Sequence, residues 1–329
     1  METIFISVPA LDDSELLPTI RDAFIKAKNP ERVNVGIALM YSTGKYKRDF
    51  KAGVRPYGDR VKHTEVKVTS RNVFETLGVG KGRKVASELY GNQDYVLQID
   101  SHTLFPQDWD EKLIALHKEA EESLGLSKVI LTGYSGHYHY SGEDKREAFT
   151  DGGVLRYPFI HEEQRFSQVI PNWWDVPLPQ DYPDKFIPCI KFNANFAFGD
   201  SSFGKYSGVL EEAIFFEEEL TQTINLTSAG FNLVFPVSTE PLICHLYSSH
   251  ENEFGGNRPN IEKYMSGLVL QVFNERTTHN YLSFIADPKN QKAIKKWEKY
   301  AKCSLTFGPL KANYIPEYYI NQSDSDLKL

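Results

Sequence analysis

Cysteine is scarce: three residues in 329 (Cys189, Cys244 and Cys303), scattered, odd in number and without metal-ligand spacing. That excludes a disulfide framework and a thiolate metal centre, and it suits a reducing cytosol. Long apolar runs are missing too, since none approaches the roughly 18 residues of a membrane span. The opening METIFISVPALDDSELL has no basic segment and meets acidic residues at once, so no secretory leader is expected. Without a leader, the acceptor patterns at Asn225-Leu-Thr and Asn321-Gln-Ser read as chance. Net positive charge is absent as well: 37 Lys plus Arg against 44 Asp plus Glu give −7. This balance argues against holding nucleic acid by bulk electrostatics, while a local basic groove remains compatible with it. Hydrophobic residues, by contrast, make up 41% and aromatics 13%, enough for a sizeable core and too much for wholesale disorder. A globular cytoplasmic protein of one large or two ordinary domains, with no membrane partner, is expected.

The first third alternates short apolar runs with amphipathic stretches. Residues 3–8 read as a buried strand, 14–28 as a helix capped by Ser14 and ended at Asn29-Pro30, and 33–40 as a second strand. A polar loop is expected to about residue 64, then a weak strand at 66–68. Next comes a glycine-rich turn opening a helix to about residue 90. Residues 95–99 form the best strand in the chain, 108–124 a helix and 128–132 another strand. Such alternation indicates parallel βαβ units and an α/β sandwich. The stretch 134–190 is rich in Tyr, His, Trp, Pro and Gly without a sustained period, and reads as long ordered loops suited to binding. Strands at 192–198 and 231–235 flank a helix at 211–228 ended by Gly230, and helical segments follow at about 259–273 and 289–303.

The sharpest local feature is Tyr95-Val-Leu-Gln-Ile-Asp100-Ser101-His102. In open α/β sheets ligands bind beyond the carboxyl ends of strands, where Asp100 and His102 fall. A carboxylate and an imidazole so placed can share a divalent cation, Mn²⁺ being suited to mixed oxygen and nitrogen ligands, and such an ion can neutralise a diphosphate leaving group. The same residues also read as a turn-capping Asp beside a surface His. Gly78-Val-Gly-Lys-Gly-Arg83 offers a close backbone approach, helix-start N–H groups and an arginine for a phosphate. It equally reads as a flexible loop with a solvated basic cluster, or as an irregular dinucleotide turn with Asp100 roughly 20 residues on. Glu217-Glu218-Glu219 at a helix start can position a substrate hydroxyl, or merely answer the macrodipole. His245, after an apolar approach, can complete a metal site from a distance in sequence. Tyr134, His137, Tyr138, His139, Tyr140, Trp173 and Trp174 form a group of rings that can pack on sugar faces or fill a core.

Taken in order, these residues resemble the GT-A-type N-acetylglucosaminyltransferases of glycosyltransferase family 60, whose best-known members are cytoplasmic enzymes that glycosylate hydroxyproline on a ubiquitin-ligase adaptor. Leu97-Gln-Ile-Asp100-Ser-His102, followed by Phe105 and Trp109-Asp110, resembles the family signature. The opening Ile4-Phe-Ile-Ser7-Val8-Pro9-Ala-Leu-Asp-Asp13 is similar to its first strand and nucleotide loop. Asn29 to Gly36 continues the likeness, Gly78 and Arg83 match the glycine and arginine ahead of the metal motif, Glu218-Glu219 its acidic pair, and His245-x-Tyr247 its late histidine motif. The resemblance covers about residues 3–250 and is weak over 134–190.

It implies a Rossmann-like GT-A domain over 1–250 with a mostly parallel central sheet and with 134–190 on the acceptor side. Residues 251–329, which have no counterpart, are expected as a helical extension packed on it. It also implies a metal-dependent transferase with a nucleotide-sugar donor, UDP-based, transferring with retention to a hydroxyl on a protein, a glycan or a modified nucleic acid. Asp100, His102 and His245 would hold Mn²⁺ (or Mg²⁺), with the metal and Arg83 countering charge on the diphosphate. Ser7, Val8, Pro9, Asp13, Gly78, Arg83 and Asp100 would bind the donor, and Glu218 or Glu219 would contact the donor sugar or the acceptor hydroxyl. The chain departs from the family pattern at Leu11, Asp12, Glu217, Asn225, Thr227 and Ala229. Two other readings use the same features. One is a non-catalytic nucleotide-sugar or glycan-binding protein. The other is a transferase acting on modified nucleic-acid bases, with Lys45, Lys47, Arg48, Arg55 and Arg60 as its basic stretch.

Overall fold

The computed structural model describes residues 1–69, 78–141, 145–149, 155–160, 173–178, 182–206, 208–238, 240–247, 268–301 and 305. Strand and helix alternate through the first half: β1 (Ile4–Leu11), α1 (Leu16–Ile25), β2 (Val33–Tyr41), α2 (Gly44–Val54), β3 (Val61–Lys67), α3 (Val79–Ser87), β4 (Tyr95–Ile99), β5 (Thr103–Leu104), α4 (Trp109–Leu124) and β6 (Val129–Thr132). Then come β7 (Gly136–Tyr140), β8 (Arg146–Phe149), β9 (Leu155–Ile160), β10 (Trp173–Leu178), β11 (Phe186–Pro188) and β12 (Phe196–Asp200). The chain continues through α5 (Phe216–Ser228), β13 (Asn232–Pro236), β14 (Cys244–His245), α6 (Leu268–Ala286) and α7 (Gln291–Ala301).

The main sheet has the order β11-β13-β6-β12-β4-β1-β2-β3. β1, β2, β3, β4, β6 and β13 run one way, while β12 and β11 run against their neighbours, so the sheet is mixed with a parallel majority. Layers cover both faces, which is why β1, β2 and β4 read as near-continuous apolar runs. Ile4, Ile6, Val8 and Ala10 face the core shared with α1, α2 and α4, where Trp109 and Phe50 are buried. Phe5, Val96, Ile130 and Ala197 face the opposite core. A third cluster joins α5 to the last two helices through Leu220, Ile224, Tyr281, Ile294 and Trp297.

Several elements differ from expectation for physical reasons. Ser14 is exposed and caps nothing; α1 begins at Leu16, and the carboxylate of Asp13 takes the Glu15 N–H at 2.7 Å. The expected polar loop holds α2, capped by Thr43 and buried only through Phe50 and Val54 on an otherwise charged surface, too few apolar positions to mark a period. β3 accordingly starts at Val61 rather than 66, as an edge strand with exposed polar side chains. The stretch 134–190, expected as loops, carries the hairpins β7–β8 and β9–β10 and the edge strand β11. The asparagines at 193 and 195 precede β12 instead of lying within it. Among the described residues the C-terminal helices span Leu268–Ala286 and Gln291–Ala301; residues 259–267, Cys303 and the Asn321 tail lie outside the described residues. Among the described residues no helix is long and apolar enough to cross a membrane.

Candidate functional site

β1 is the pivot of the sheet. It pairs with β2 on one side out to Leu11↔Met40, but with β4 on the other side only as far as Ser7↔Gln98. The chain therefore winds outward from β1 in one direction through β2 and β3 and in the other through β4. Such a switch point opens a crevice beyond the carboxyl ends of the strands. Asp13 follows β1 at this crevice, and Asp100, Ser101 and His102 follow β4.

β14 brings in the third group. It pairs antiparallel with β5, His245 opposite Thr103, and Leu246 N–H donates to His102 O at 3.1 Å. His245 Nε2 thereby lies 3.0 Å from Asp100 Oδ2, and the two imidazole rings are 4.5 Å apart. Potential ligand atoms of Asp100, His102 and His245 all lie within 4.8 Å of one another. Burial works against charge on Asp100, yet the neighbouring Arg83 and His245 hold its carboxyl well below the usual range. Burial, reinforced by His102, lowers the pKa of His245 and favours the neutral ring a cation needs. Burial alone would likewise lower His102, but the Asp13 carboxylate outweighs it and raises the pKa. Its Nδ1 lies 2.9 Å from Asp13 Oδ2. One carboxylate and two imidazoles in this arrangement fit a divalent ion such as Mn²⁺.

Arg83 is placed differently from expectation. Its guanidinium is only 2% exposed and points inward, with Nη2 donating to Asp100 Oδ1 at 2.5 Å, Nη1 to Ile99 O at 2.6 Å and Nε to Glu218 Oε1 at 3.2 Å. It sits behind Asp100, with Asp100, Ile99 and Glu218 as its partners. The glycine-rich turn is likewise engaged within the protein. Val79 and Gly80 N–H donate to the Ile214 and Ala213 carbonyls, so these helix-start donors are already taken. A Cβ on Gly78 would meet Ala213 O at 2.7 Å, one on Gly80 would meet Leu210 O at 2.1 Å, and one on Gly82 would meet Pro9 Cβ at 2.8 Å. The glycines let α3 press against the backbone at 210–213 and against Pro9.

The remaining expected residues divide. Ser7 and Val8 are buried within the sheet, and Pro9 is half-buried against Gly82. Asp13 is 2% exposed, and both of its carboxylate oxygens have partners within the protein. Glu217 caps α5 by accepting from Ile214 and Phe215 N–H at 2.7 and 3.1 Å. Burial, with Glu219 and Asp100 nearby, pushes the Glu218 carboxyl up to about 7 against the pull of Arg83. Glu219, its side chain 27% exposed, accepts from Ala194 N–H at 3.0 Å and pairs with Lys191 at 3.0 Å.

Sequence reasoning named the rings at 134–140 and Tyr247 but missed the partners that fix them, Glu15, Arg146 and Asn195. Tyr138 and Tyr140, on one face of β7, both donate to Glu15, which also pairs with Arg146 at 3.4 Å, tying the β7–β8 hairpin to α1. Alternation at 138 and 140 was the available signal. Asn195 donates to the Tyr247 hydroxyl at 3.1 Å, and the Tyr247 ring stacks on Tyr134 and adjoins His137 and His245. Trp173 and Trp174 lie on β10, with their side chains outside the described residues.

A family model described as glycosyltransferase (GlcNAc) matches residues 52–263. No curated protein matches the chain. Among solved structures, GalNAc-T7 crystallised with UDP, GalNAc and Mn²⁺ is similar over 92% of this chain at a TM-score of 0.58 and 13% identity. The match covers 55% of the GalNAc-T7 chain, so this protein spans little more than half of that relative. The mannosyltransferase PcManGT from Pyrobaculum calidifontis, in complex with GDP-Man and Mn²⁺, gives a TM-score of 0.43 at 11% identity over 91% of this chain and 74% of that one. TarS 1–349 from S. aureus gives 0.43 at 11%, over 92% and 78%. The fold is the α/β GT-A sandwich.

Proposed function

The chain belongs to the GlcNAc glycosyltransferase family, and from that premise we propose that it moves a sugar from a nucleotide diphosphate, a UDP-sugar, onto a hydroxyl acceptor. The observation that carries the reading is the convergence of Asp100, His102 and His245 at the crevice where β1 and β4 part. UDP and Mn²⁺ in the GalNAc-T7 crystal support the choice of donor and metal. The three side chains would hold Mn²⁺, which when bound supplies Lewis-acid compensation for charge on a leaving diphosphate. Arg83 keeps Asp100 ionised and aimed from behind, and the strand-end carbonyl of Ile99 fixes the guanidinium in turn. Glu219, the more exposed of the acidic pair, accepts a hydrogen bond from a sugar or acceptor hydroxyl. Glu218, held near neutrality in its titration, binds a second hydroxyl in either protonation state. The finer reading is a cytoplasmic family 60 enzyme transferring N-acetylglucosamine, or another hexose, with retention to a hydroxyproline-like hydroxyl.

The test is a panel of nucleotide sugars incubated with Mn²⁺ and scored for slow donor hydrolysis, which needs no acceptor. One UDP-sugar is expected to be hydrolysed, with activity lost in chelator and restored by Mn²⁺. Asp100→Ala is expected to abolish turnover while keeping the native circular dichroism. Full activity in chelator, or normal turnover by Asp100→Ala, would falsify the proposal.

A further inference from the structure

We propose that Asp13 is a positioning residue for the metal triad. It forces the proton of His102 onto Nδ1, so that Nε2 presents its lone pair to the cation. The inference rests on the reading of Asp100, His102 and His245 as ligands and assigns Asp13 to their support.

Three observations carry it. First, Asp13 is fully committed. Oδ1 accepts from Glu15 N–H at 2.7 Å, and Oδ2 accepts from the Ser101 hydroxyl and faces His102 Nδ1 at 2.9 Å. Second, its backbone is fixed from two sides: Leu16 N–H and the Tyr46 hydroxyl both donate to the Asp13 carbonyl, at 3.2 and 3.1 Å. The carboxylate is therefore a rigid point set by the end of β1, one strand away from the motif it supports. Third, the donor–acceptor chemistry allows one arrangement. An ionised carboxylate only accepts, so the ring nitrogen facing it carries hydrogen. The other two groups that converge on this carboxylate, the Glu15 N–H and the Ser101 hydroxyl, are donors as well, as an acceptor-only group requires.

Anchoring by a carboxylate fixes both the tautomer and the ring orientation of a ligating imidazole. His245 has no such anchor among the described residues, where its buried Nδ1 finds no hydrogen-bond partner. The triad thus contains one braced imidazole and one unbraced. Ser101, between the two proposed ligands in sequence, acquires a role: its hydroxyl fills the other approach to Oδ2 and locks the carboxylate in place.

Asp13→Asn separates this role from bulk. The amide oxygen still accepts from Glu15 N–H, while the amide nitrogen takes the place of Oδ2 and donates to His102 Nδ1, driving the proton to Nε2. Two measurements test it. Long-range ¹⁵N–¹H spectra of histidine-labelled, metal-free protein at pH 9 report which ring nitrogen is protonated, with His102→Gln identifying the signals. Electron paramagnetic resonance titration gives the Mn²⁺ dissociation constant.

Expected are a protonated Nδ1 on wild-type His102, a proton on Nε2 alone in Asp13→Asn, and Mn²⁺ binding about 10–100-fold weaker in that variant. Ser101→Ala is expected to keep the wild-type tautomer with a smaller loss, and it serves should Asp13→Asn not fold. Wild-type protein that binds Mn²⁺ while His102 carries its proton on Nε2 alone overturns the Asp13 role and leaves the metal reading standing. Unchanged Mn²⁺ affinity in Asp13→Asn does the same. Wild-type protein that binds no Mn²⁺ overturns the ligand reading itself, whatever the tautomer.

Discussion

Replacing Arg83 with methionine probes what holds the site together. Methionine keeps much of the apolar stem but leaves Asp100, Glu218 and the Ile99 carbonyl without their shared donor. Stripping one partner from a buried ion pair costs about 3–5 kcal/mol. The upper end is not expected, because Glu218, already pushed to about 7, can take up a proton once the guanidinium is gone. Arg83→Met is therefore expected to destabilise by about 3 kcal/mol, and Glu218→Gln by less than about 1 kcal/mol. The double variant should cost less than the two together by about 1–3 kcal/mol, the coupling of groups in one network. Urea unfolding followed by tryptophan fluorescence measures all three, compared at constant m-value. The folded state holds the Glu218 proton more tightly than the unfolded chain, so this group makes stability fall as pH rises from 4.5 to about 7. Glu218→Gln should flatten that fall. It should leave untouched the opposite loss at low pH, where Asp100 and Asp13, with lowered values, must be protonated. A cost below about 1 kcal/mol for Arg83→Met, or strict additivity in the cycle, refutes the account of a shared buried cation.

Two further outcomes concern the scaffold. Gly80→Ala places a Cβ 2.1 Å from the Leu210 carbonyl and is expected to cost about 1–3 kcal/mol. Gly44→Ala, at the start of α2 with only the movable Arg48 side chain at 3.4 Å, should be neutral or slightly stabilising. Differential scanning calorimetry separates them, and equal melting temperatures would remove the close-packing explanation for the α3 glycines. Trp297→Ala empties a fully buried site, breaks the indole bond to Ile190 O at 3.1 Å and should cost about 3–5 kcal/mol. Early proteolytic cleavage near α6 and α7 is the expected sign, and a wild-type digestion pattern would show that these helices contribute little to α5.

What the sequence disclosed follows from how each signal is carried. β1, β2 and β4 are covered on both faces, so burial writes itself as uninterrupted apolar residues. Asp100 and His102 stand out because they end the cleanest of those runs. The direction of Arg83 is a different kind of fact. A helix start with glycines at 78, 80 and 82 does not say in sequence that its first N–H groups meet the backbone at 213–214, and only tertiary contact decides. α2 escaped because two buried residues in eleven leave no period to find. Asp13 was singled out only through the family resemblance, as a donor-binding residue; its partner His102 follows a neighbouring strand, and strand order is not written in local composition.

The backbone of Ile214 serves two helices at once. Its N–H goes to the Glu217 carboxylate that begins α5, and its carbonyl receives the first N–H of α3. Arg83 and Glu218, 135 positions apart, are thus set against each other by a gauge one residue thick. Lengthening or shortening the chain at 213–215 would slide one helix along the other and pull the guanidinium out of line with both carboxylates. Exchange of surface residues elsewhere on α3 or α5 would leave that alignment alone.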